Sequence, residues 1–464
     1  MFYPKKLSVE TFVIAIFLST LDIVALTPAL ESIMVEYLHP IHWSVWVISL
    51  HLAFFSFSLP ILEGWAANVG RNKVFIFSLV FFALGSLMIA ASHQWVWLMW
   101  GRVMEAIGAS GIVPYVALQT RRMIAKKNKQ KKVNALLILG GLLVLIPLVT
   151  AFLVYQFGWR SLFVVYFLLA VLLFAASRRW LIVDQPGRGR QIHGEGIFFF
   201  AVIILFLMTA VTLTDFLQGW TAFTHSQAMP LWIVAVGLII PLFMIERQSE
   251  HPFLEPHLFA NWRFWLLYVQ VALTGFSWMA LVLVPTWVSQ PFHLHSLFNG
   301  VVLAYILLWA VLSLPLVFRF SRKWGFKGVS ALGFMFAIIS YTSLAWFREG
   351  WLQWVMLALL GWGLSFTLAS PVHVPLSQWA PVRQLKSGLM TLGMFRAAGG
   401  ALGLVAMARL YRSFVPGDYG WLTATEWTRP MIQVAEQKVM LLVAATSFLG
   451  LVISLLLPNH KENR

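Results

Sequence analysis

Apolar residues in this chain gather into helix-length runs separated by short polar stretches. Fourteen runs can be drawn, approximately 11–34, 43–63, 74–91, 97–119, 135–157, 161–177, 197–217, 229–246, 264–290, 297–318, 328–346, 352–379, 388–411 and 439–457. An α-helix rises about 1.5 Å per residue, so about 20 apolar residues cross a hydrocarbon core of about 30 Å. The pattern predicts an all-α polytopic membrane protein. The first run, TFVIAIFLSTLDIVALTPALESIM, sets a carboxylate, Asp22, at its middle, and the helix rise puts it roughly 16 Å into the core. An ionised group at that depth is costly unless it finds a cation, a proton or water, so its default reading is functional. The bland alternative is an Asp that pins a helix contact.

Charge settles the orientation of the runs. With the N-terminus in the cytoplasm, 25 Lys and Arg fall on the cytoplasmic side, five on the opposite side (Arg160, Arg348, Arg412, Arg429, Lys438) and three within runs (Arg102, Arg396, Arg409). That asymmetry is the positive-inside pattern, and it places both termini in the cytoplasm. The net charge of +16 therefore follows the loops, and the basic run RRMIAKKNKQKK is read as topology and attraction to anionic lipid head groups rather than as a nucleic-acid site. Tryptophans at run ends (Trp43, Trp97, Trp346, Trp351) fit interfacial anchoring.

Composition mostly excludes. A chain 60% hydrophobic and only 11% charged lies outside the soluble range. The absence of cysteine removes disulfides, thiolate metal sites and cysteine nucleophiles. The longest polar stretches, near 178–196 and 412–438, are too short to be independent domains. No signal-peptide cleavage site is visible, so the first run is expected to stay as a helix. There is no GxxxxGK[ST] phosphate loop, HExxH pair or GxSxG turn, so the reading is of no enzyme, no metal and no cofactor, and ATP-driven transport would need a partner chain.

Other ionisable groups share the depth of Asp22. Counting inward from the outer surface, His51 lies roughly 12 Å deep, Arg102 roughly 8 Å and Glu105 roughly 12 Å. Arg102 and Glu105 are three apart and so share a helix face, where each biases the other's charge. Together with Asp22 they have the makings of a proton relay. The alternative for Arg102 and Glu105 is a mutually neutralising clamp, and for His51 a simple hydrogen bond to a neighbour. His373 is a weaker candidate, Asp215 reads as a solvated carboxylate at a run's outer end, and Arg396 reads as structural, snorkelling inward. Gly108, Gly111, Gly140, Gly141, Pro147, Gly361, Gly363, Gly399, Gly400 and Gly403 lie within runs, where they allow either bending or close helix packing.

At this point the residues resemble the major facilitator superfamily, in its fourteen-span drug:proton antiporter branch, over nearly the whole chain. LDIVALTPAL (21–30) is similar to the branch's first-span motif LDxTIVNVALP, whose Asp is implicated in proton coupling and in recognising cationic drugs; here it is Asp22. GRVMEAIGAS (101–110) resembles the fourth-span motif RvxqGxgaa, whose Arg matches Arg102. EGWAANVGRNK (63–73) sits where the loop motif GxLaDrxGRrr belongs and supplies Glu63, Gly70, Arg71 and Lys73 as gating residues. FGWRSLF (157–163), ERQSEHPFLEPHLFANWRF (246–264) and SGLMTLGMFRAAGGALG (387–403) resemble the turn between spans five and six, the connector after two inserted spans, and the thirteenth span.

The departures are specific. The loop motif's Asp falls on Ala67 and its following basic residue on Asn68, with Glu63 as a replacement acid. Where antiporters carry GPxxGG in the fifth span, this chain has Ile146, Pro147, Thr150 and Ala151. Glu105 stands where the fourth-span motif has Gln, and the extra acid favours a cationic substrate or a second proton site.

The resemblance implies a major facilitator fold: a six-helix bundle over 1–177, a linker with two inserted spans over 178–263 and a second six-helix bundle over 264–464. It implies a proton-coupled exporter of amphipathic, cationic or neutral small molecules of the multidrug-efflux type, working by alternating access in a bacterial inner membrane and driven by the proton gradient. Asp22, Arg102, Glu105 and His51 would couple protons and bind substrate, and Pro147, Gly140 and Gly141 would bend the fifth span. The partners expected are substrate, protons and the lipid bilayer, with no nucleic acid; a periplasmic adaptor protein stays open. The rival readings are proton-coupled uptake, lipid or metabolite flipping, and a non-transporting receptor or scaffold on the same fold.

Overall fold

The computed structural model describes residues 22–124, 129–177, 194–224, 227–249, 252–289, 296–347, 350–370, 372–381, 384–415 and 429–458, and the secondary structure of these residues is entirely helical. Eleven helices among them are long and apolar enough to cross a membrane. Both termini, the start of the linker at 178 and most of the basic run after Arg121 lie outside the described side chains.

The first described helices are short. α1 (Asp22–Leu26) leads through a 3-10 turn at Thr27–Ala29 into α2 (Leu30–Tyr37). Pro28 accounts for the tightened turn, because it donates no N–H and its ring crowds the preceding turn. After Leu38, which takes a left-handed conformation, and a helical turn at Ile41–Ser44, α3 (Trp46–Val69) and α4 (Arg71–Ala90) form a hairpin about Gly70. Gly70 has φ of 97°, a corner that side chains other than hydrogen resist. α5 (Trp95–Ile124), α6 (Lys129–Phe157) and α7 (Arg160–Ser177) complete this half, followed by α8 (Gly194–Leu213) and the paired segments α9 (Met229–Gly237) and α10 (Ile239–Gln248).

The remaining helices depart furthest from the sequence reading. The run expected over 264–290 divides into α11 (Trp262–Trp278) and α12 (Ala280–Ser289). By contrast, the runs expected over 297–318 and 328–346 are two helices, labelled together α13 (Ser296–Trp346), that part at the non-helical Gly325, with φ of 66° and ψ of −164°. The polar stretch between them is thus helical on both sides of one glycine. The run expected over 352–379 breaks into α14 (Trp351–Leu368) and α15 (His373–Trp379), so His373 opens a short helix instead of lying inside a long one. α16 (Leu385–Phe414) and α17 (Arg429–Leu456) close the chain, α17 beginning ten residues before its expected start.

Packing follows the small residues. α3, α4, α5 and α7 pack on one another, with α6 against α7; α11, α13, α14, α16 and α17 pack likewise; and α8 lies against α9 and α10 while also touching α3 and α16. The two sets meet along two main seams, α3 with α16 and α6 with α13. Large apolar side chains, among them Trp100, Phe152, Phe157 and Leu172, face outward, which a bilayer tolerates and water does not. Trp97, Trp346 and Trp351 are exposed at helix ends, as anchoring at the interface requires.

Candidate functional site

The centre of the site is built by α5 lying almost backbone-to-backbone on α4. A Cβ on Gly85 would come within 2.6 Å of the Glu105 nitrogen and 2.7 Å of the Gly101 carbonyl oxygen, and one on Gly108 would meet Phe82 and Ser78 backbone atoms at 2.6 Å. Only hydrogen fits at such a crossing. The close approach carries Arg102 and Glu105 into the interior, where both side chains are fully buried.

Both are heavily partnered there. Arg102 Nη1 donates to Glu105 Oε2 at 2.6 Å, and its Nε donates to the Val47 carbonyl oxygen of α3 at 2.7 Å. Ser86 of α4 donates to the other carboxylate oxygen of Glu105 at 2.5 Å. The Phe163 ring of α7 lies 5.9 Å from the guanidinium carbon. A buried ion pair persists only when such additional bonds satisfy what water no longer does. Arg102 and Glu105 therefore form the clamp that their spacing allows, and it ties α3, α4 and α5 together.

His51 lies one turn along α3 from Val47, the residue that receives Arg102, and is buried with 4% of its surface exposed. The structure thus brings His51, Arg102 and Glu105 into one neighbourhood. Asp22 is the first described residue of α1, which packs against α6 and α12; its side chain lies outside the described residues. Asp215, just beyond the C-terminal end of α8, accepts from the Leu217 backbone N–H at 3.3 Å and is partly exposed, as a solvated carboxylate would be.

A second cluster sits at the C-terminal end of α3. Glu63 pairs with Arg71 at 3.3 Å, across the Gly70 corner, and with Lys386 of α16 at 2.9 Å. The replacement acid of the loop motif is therefore in use, and its second partner lies across the seam between the two helix sets. Lys73 is exposed. A cavity of about 20 Å³, bordered by Glu63, Arg71, Ser110 and Tyr115, has room for one water.

The residues expected to bend α6 lie mostly at its contact with α13. A Cβ on Gly140 would meet Val311 at 2.6 Å, and Gly300 packs on the Pro147 carbonyl oxygen and Ala151. Gly141 faces open space.

Two acids escaped the sequence reading. Glu246, at the end of α10, is fully buried; its Oε2 accepts from the Leu254 N–H at 3.0 Å and its Oε1 has no partner. Glu436 is buried within α17 because that helix begins early. Both acids stood at or just outside the drawn run ends, where solvation is the ordinary assumption. Arg396 is partly exposed, and its buried Nε makes no hydrogen bond. Among the described residues no group of three His, Asp or Glu is arranged to hold a metal ion.

The sequence profile of the Major Facilitator Superfamily matches residues 12–404. The chain is 25% identical over 428 residues to an uncharacterized MFS-type transporter, YfiU, of Bacillus subtilis (89% of this chain, 80% of the relative). It is 22% identical over 371 residues to Multidrug resistance protein 3 of the same organism (78% of this chain, 71% of the relative). The fold is similar to that of the nucleoside transporter NupG, with a TM-score of 0.63 at 12% identity over 96% of this chain and 98% of the other. With the profile matched across most of its length, this chain belongs to the major facilitator superfamily.

Proposed function

We propose that this chain is a proton-coupled secondary transporter that exports amphipathic small molecules by alternating access. Its fourteen spans would form two six-helix bundles, 1–177 and 264–464, with two inserted spans between them, and both termini would face the cytoplasm of a bacterial inner membrane. The observation that carries the reading is the seam: two helix sets touching mainly through α3 with α16 and α6 with α13, latched at the C-terminal end of α3 by the Glu63 to Lys386 ion pair. An exposed ion pair contributes about 0 to 1 kcal/mol, so such a latch can open at little cost.

Asp22 is assigned the exchanged proton, on the strength of its motif and its depth. Arg102, Glu105 and His51 are assigned the positioning of the helices around it. No cofactor enters, because the proton gradient supplies the work. The name of Multidrug resistance protein 3 supports efflux for this chain too. The fifth-span departure at Ile146, Pro147, Thr150 and Ala151 favours a second reading, in which the same machinery runs as uptake or as lipid or metabolite flipping. Flux measured in proteoliposomes of controlled orientation, under an imposed pH gradient, separates the two. Asp22→Asn is expected to abolish gradient-driven flux while sparing substrate binding. Unchanged flux and proton release in that variant would refute the proton assignment, and binding without any flux in the parent protein would leave only the scaffold reading.

A further inference from the structure

Three arginines, Arg102, Arg396 and Arg409, lie within the apolar runs of this protein, and they differ in what they touch. Arg102 is held by Glu105 and the Val47 carbonyl, and Arg409 Nε donates to the Thr214 carbonyl oxygen at 2.7 Å. Arg396 has neither: among the described residues it makes no hydrogen bond and no ion pair, and its Nε is buried with nothing to donate to. It stands eleven residues into α16, roughly 16 Å from that helix's N-terminal end. Arg396 as a whole is partly exposed, and a guanidinium with five N–H donors that does not lose its charge calls at that depth for water or an anion.

Register says which way the group faces. A Cβ on Gly393 would touch Leu59 of α3 at 3.4 Å, and one on Gly400 would touch Leu52 of α3 at 3.3 Å. Arg396 is three residues after the first and four before the second, while Gly399 and Gly403 on its other flank meet Ala272 and Phe276 of α11, so it lies at the border of the α3 seam and α11. From there a stripe continues toward the N-terminal end of α16 through Gly393 and Leu389, both partly exposed, to Lys386, which is 60% exposed and holds the Glu63 latch. An unpaired cation therefore sits at the inner end of a stripe whose outer end is closed by an ion pair.

We infer that Arg396 anchors the cargo, and that the cargo carries an anionic group, a carboxylate, sulfonate or phosphate, which the guanidinium binds through parallel N–H donors. This rests on the transporter reading above and changes the charge expected of its substrate. The fourth-span acid no longer argues for a cation, because Glu105 is neutralised by Arg102. Phe55, between Leu52 and Leu59 on α3 and partly exposed, offers an apolar surface for the rest of an amphipathic anion.

The test uses the full-length protein in detergent and three matched probes: naphthaleneacetate, its neutral amide and the corresponding naphthylethylammonium. The acetate is expected to bind at least tenfold more tightly than either congener. Arg396→Gln should erase that preference with an unchanged thermal midpoint, and Arg396→Lys should keep part of it, since it retains charge without the fork. Equal affinity for the three probes, binding of none of them, or a preference that survives in Arg396→Gln overturns the inference. Loss of the preference only in parallel with a lowered thermal midpoint in both Arg396→Gln and Arg396→Met also overturns it, because the residue would then be structural. Flux of the same probes in proteoliposomes reports on the transporter reading separately: anion-selective binding without flux sinks that reading and leaves the site.

Discussion

Removing the carboxylate of Glu105 should destabilise this protein more than almost any other single change, and the size can be worked from its bonds. Glu105→Leu deletes the 2.6 Å bond to Arg102 and the 2.5 Å bond from Ser86, and leaves a fully buried guanidinium without its carboxylate neighbour, though still bonded to the Val47 carbonyl. Breaking a buried pair by removing one partner costs about 3 to 5 kcal/mol, most of it the stranded charge. Removing both charges strands nothing. Arg102→Leu with Glu105→Leu should therefore recover to within about 1 kcal/mol of the parent, since an apolar replacement of a buried pair is commonly neutral. Unfolding in graded denaturing detergent, followed by tryptophan fluorescence for the parent, both single variants and the double, reads the cycle directly. A double variant whose cost equals the sum of the singles would mean that the two side chains do not interact, and the clamp would have to be abandoned. The stable double variant then serves a second purpose. If Arg102 and Glu105 position the helices around the Asp22 proton site, it should fold and yet exchange protons poorly.

Three smaller perturbations probe other parts of the molecule. Lys386→Glu should repel Glu63 and shift the latched end toward open by up to about fivefold, with reversal in the Glu63→Lys, Lys386→Glu double; because the chain has no cysteine, alkylation of a single Leu389→Cys reporter measures this without background, and equal rates in all variants would refute the latch. Gly85→Val should cost about 1 to 3 kcal/mol or prevent folding, since its side chain meets backbone atoms, whereas Gly141→Ala, facing open space, should be neutral or up to about 1 kcal/mol stabilising in the same unfolding assay. At the opposite end of this helix set from Glu63, the Arg160 guanidinium, bonded to Glu36 at 2.7 Å, holds the Glu36 carboxyl below the usual carboxylate range. A depressed value means that the contribution is complete above about pH 4.5 and lost as pH falls through the lowered value, and for so exposed a pair it should not exceed about 1 kcal/mol. Glu36→Gln should therefore lower the unfolding midpoint slightly at pH 7 and not at pH 2.

Membrane character was plain in the sequence because a bilayer writes its thickness into run length and its polarity into loop charge. The Arg102 and Glu105 clamp was legible too, since three residues of helix fix their distance before any tertiary contact exists. The partners across helices were not: Val47 and Ser86 are ordinary residues until Gly85 and Gly101 let two backbones meet. Run ends were legible only where polarity changed together with backbone geometry. Arg319 to Lys327 reads as a loop because it is charged, yet a helix at the membrane surface tolerates charge and turns on Gly325 alone. Glu436 was lost for the same reason, as α17 starts in polar sequence outside the apolar run. Arg396 shows the opposite limit. What marks it among the described residues is a buried Nε that makes no hydrogen bond, and a missing partner has no sequence signature.

These two arginines divide the labour of the protein in a way that bears on coupling. Arg102 is paired with Glu105 inside one helix set, where the pair adds rigidity. Arg396 keeps its charge at the seam between α3 and α16, while α1, whose first described residue is Asp22, packs toward the other seam, against α6 and α12. If Asp22 carries the proton and Arg396 the anion, as proposed, the two ligands occupy different seams of one bistable assembly and need not touch. Coupling then arises because each prefers a different opening of the same two helix sets. On that view the order of events is set by the latch: a charge change at either seam can be felt at the other only once Glu63 and Lys386 are free to separate.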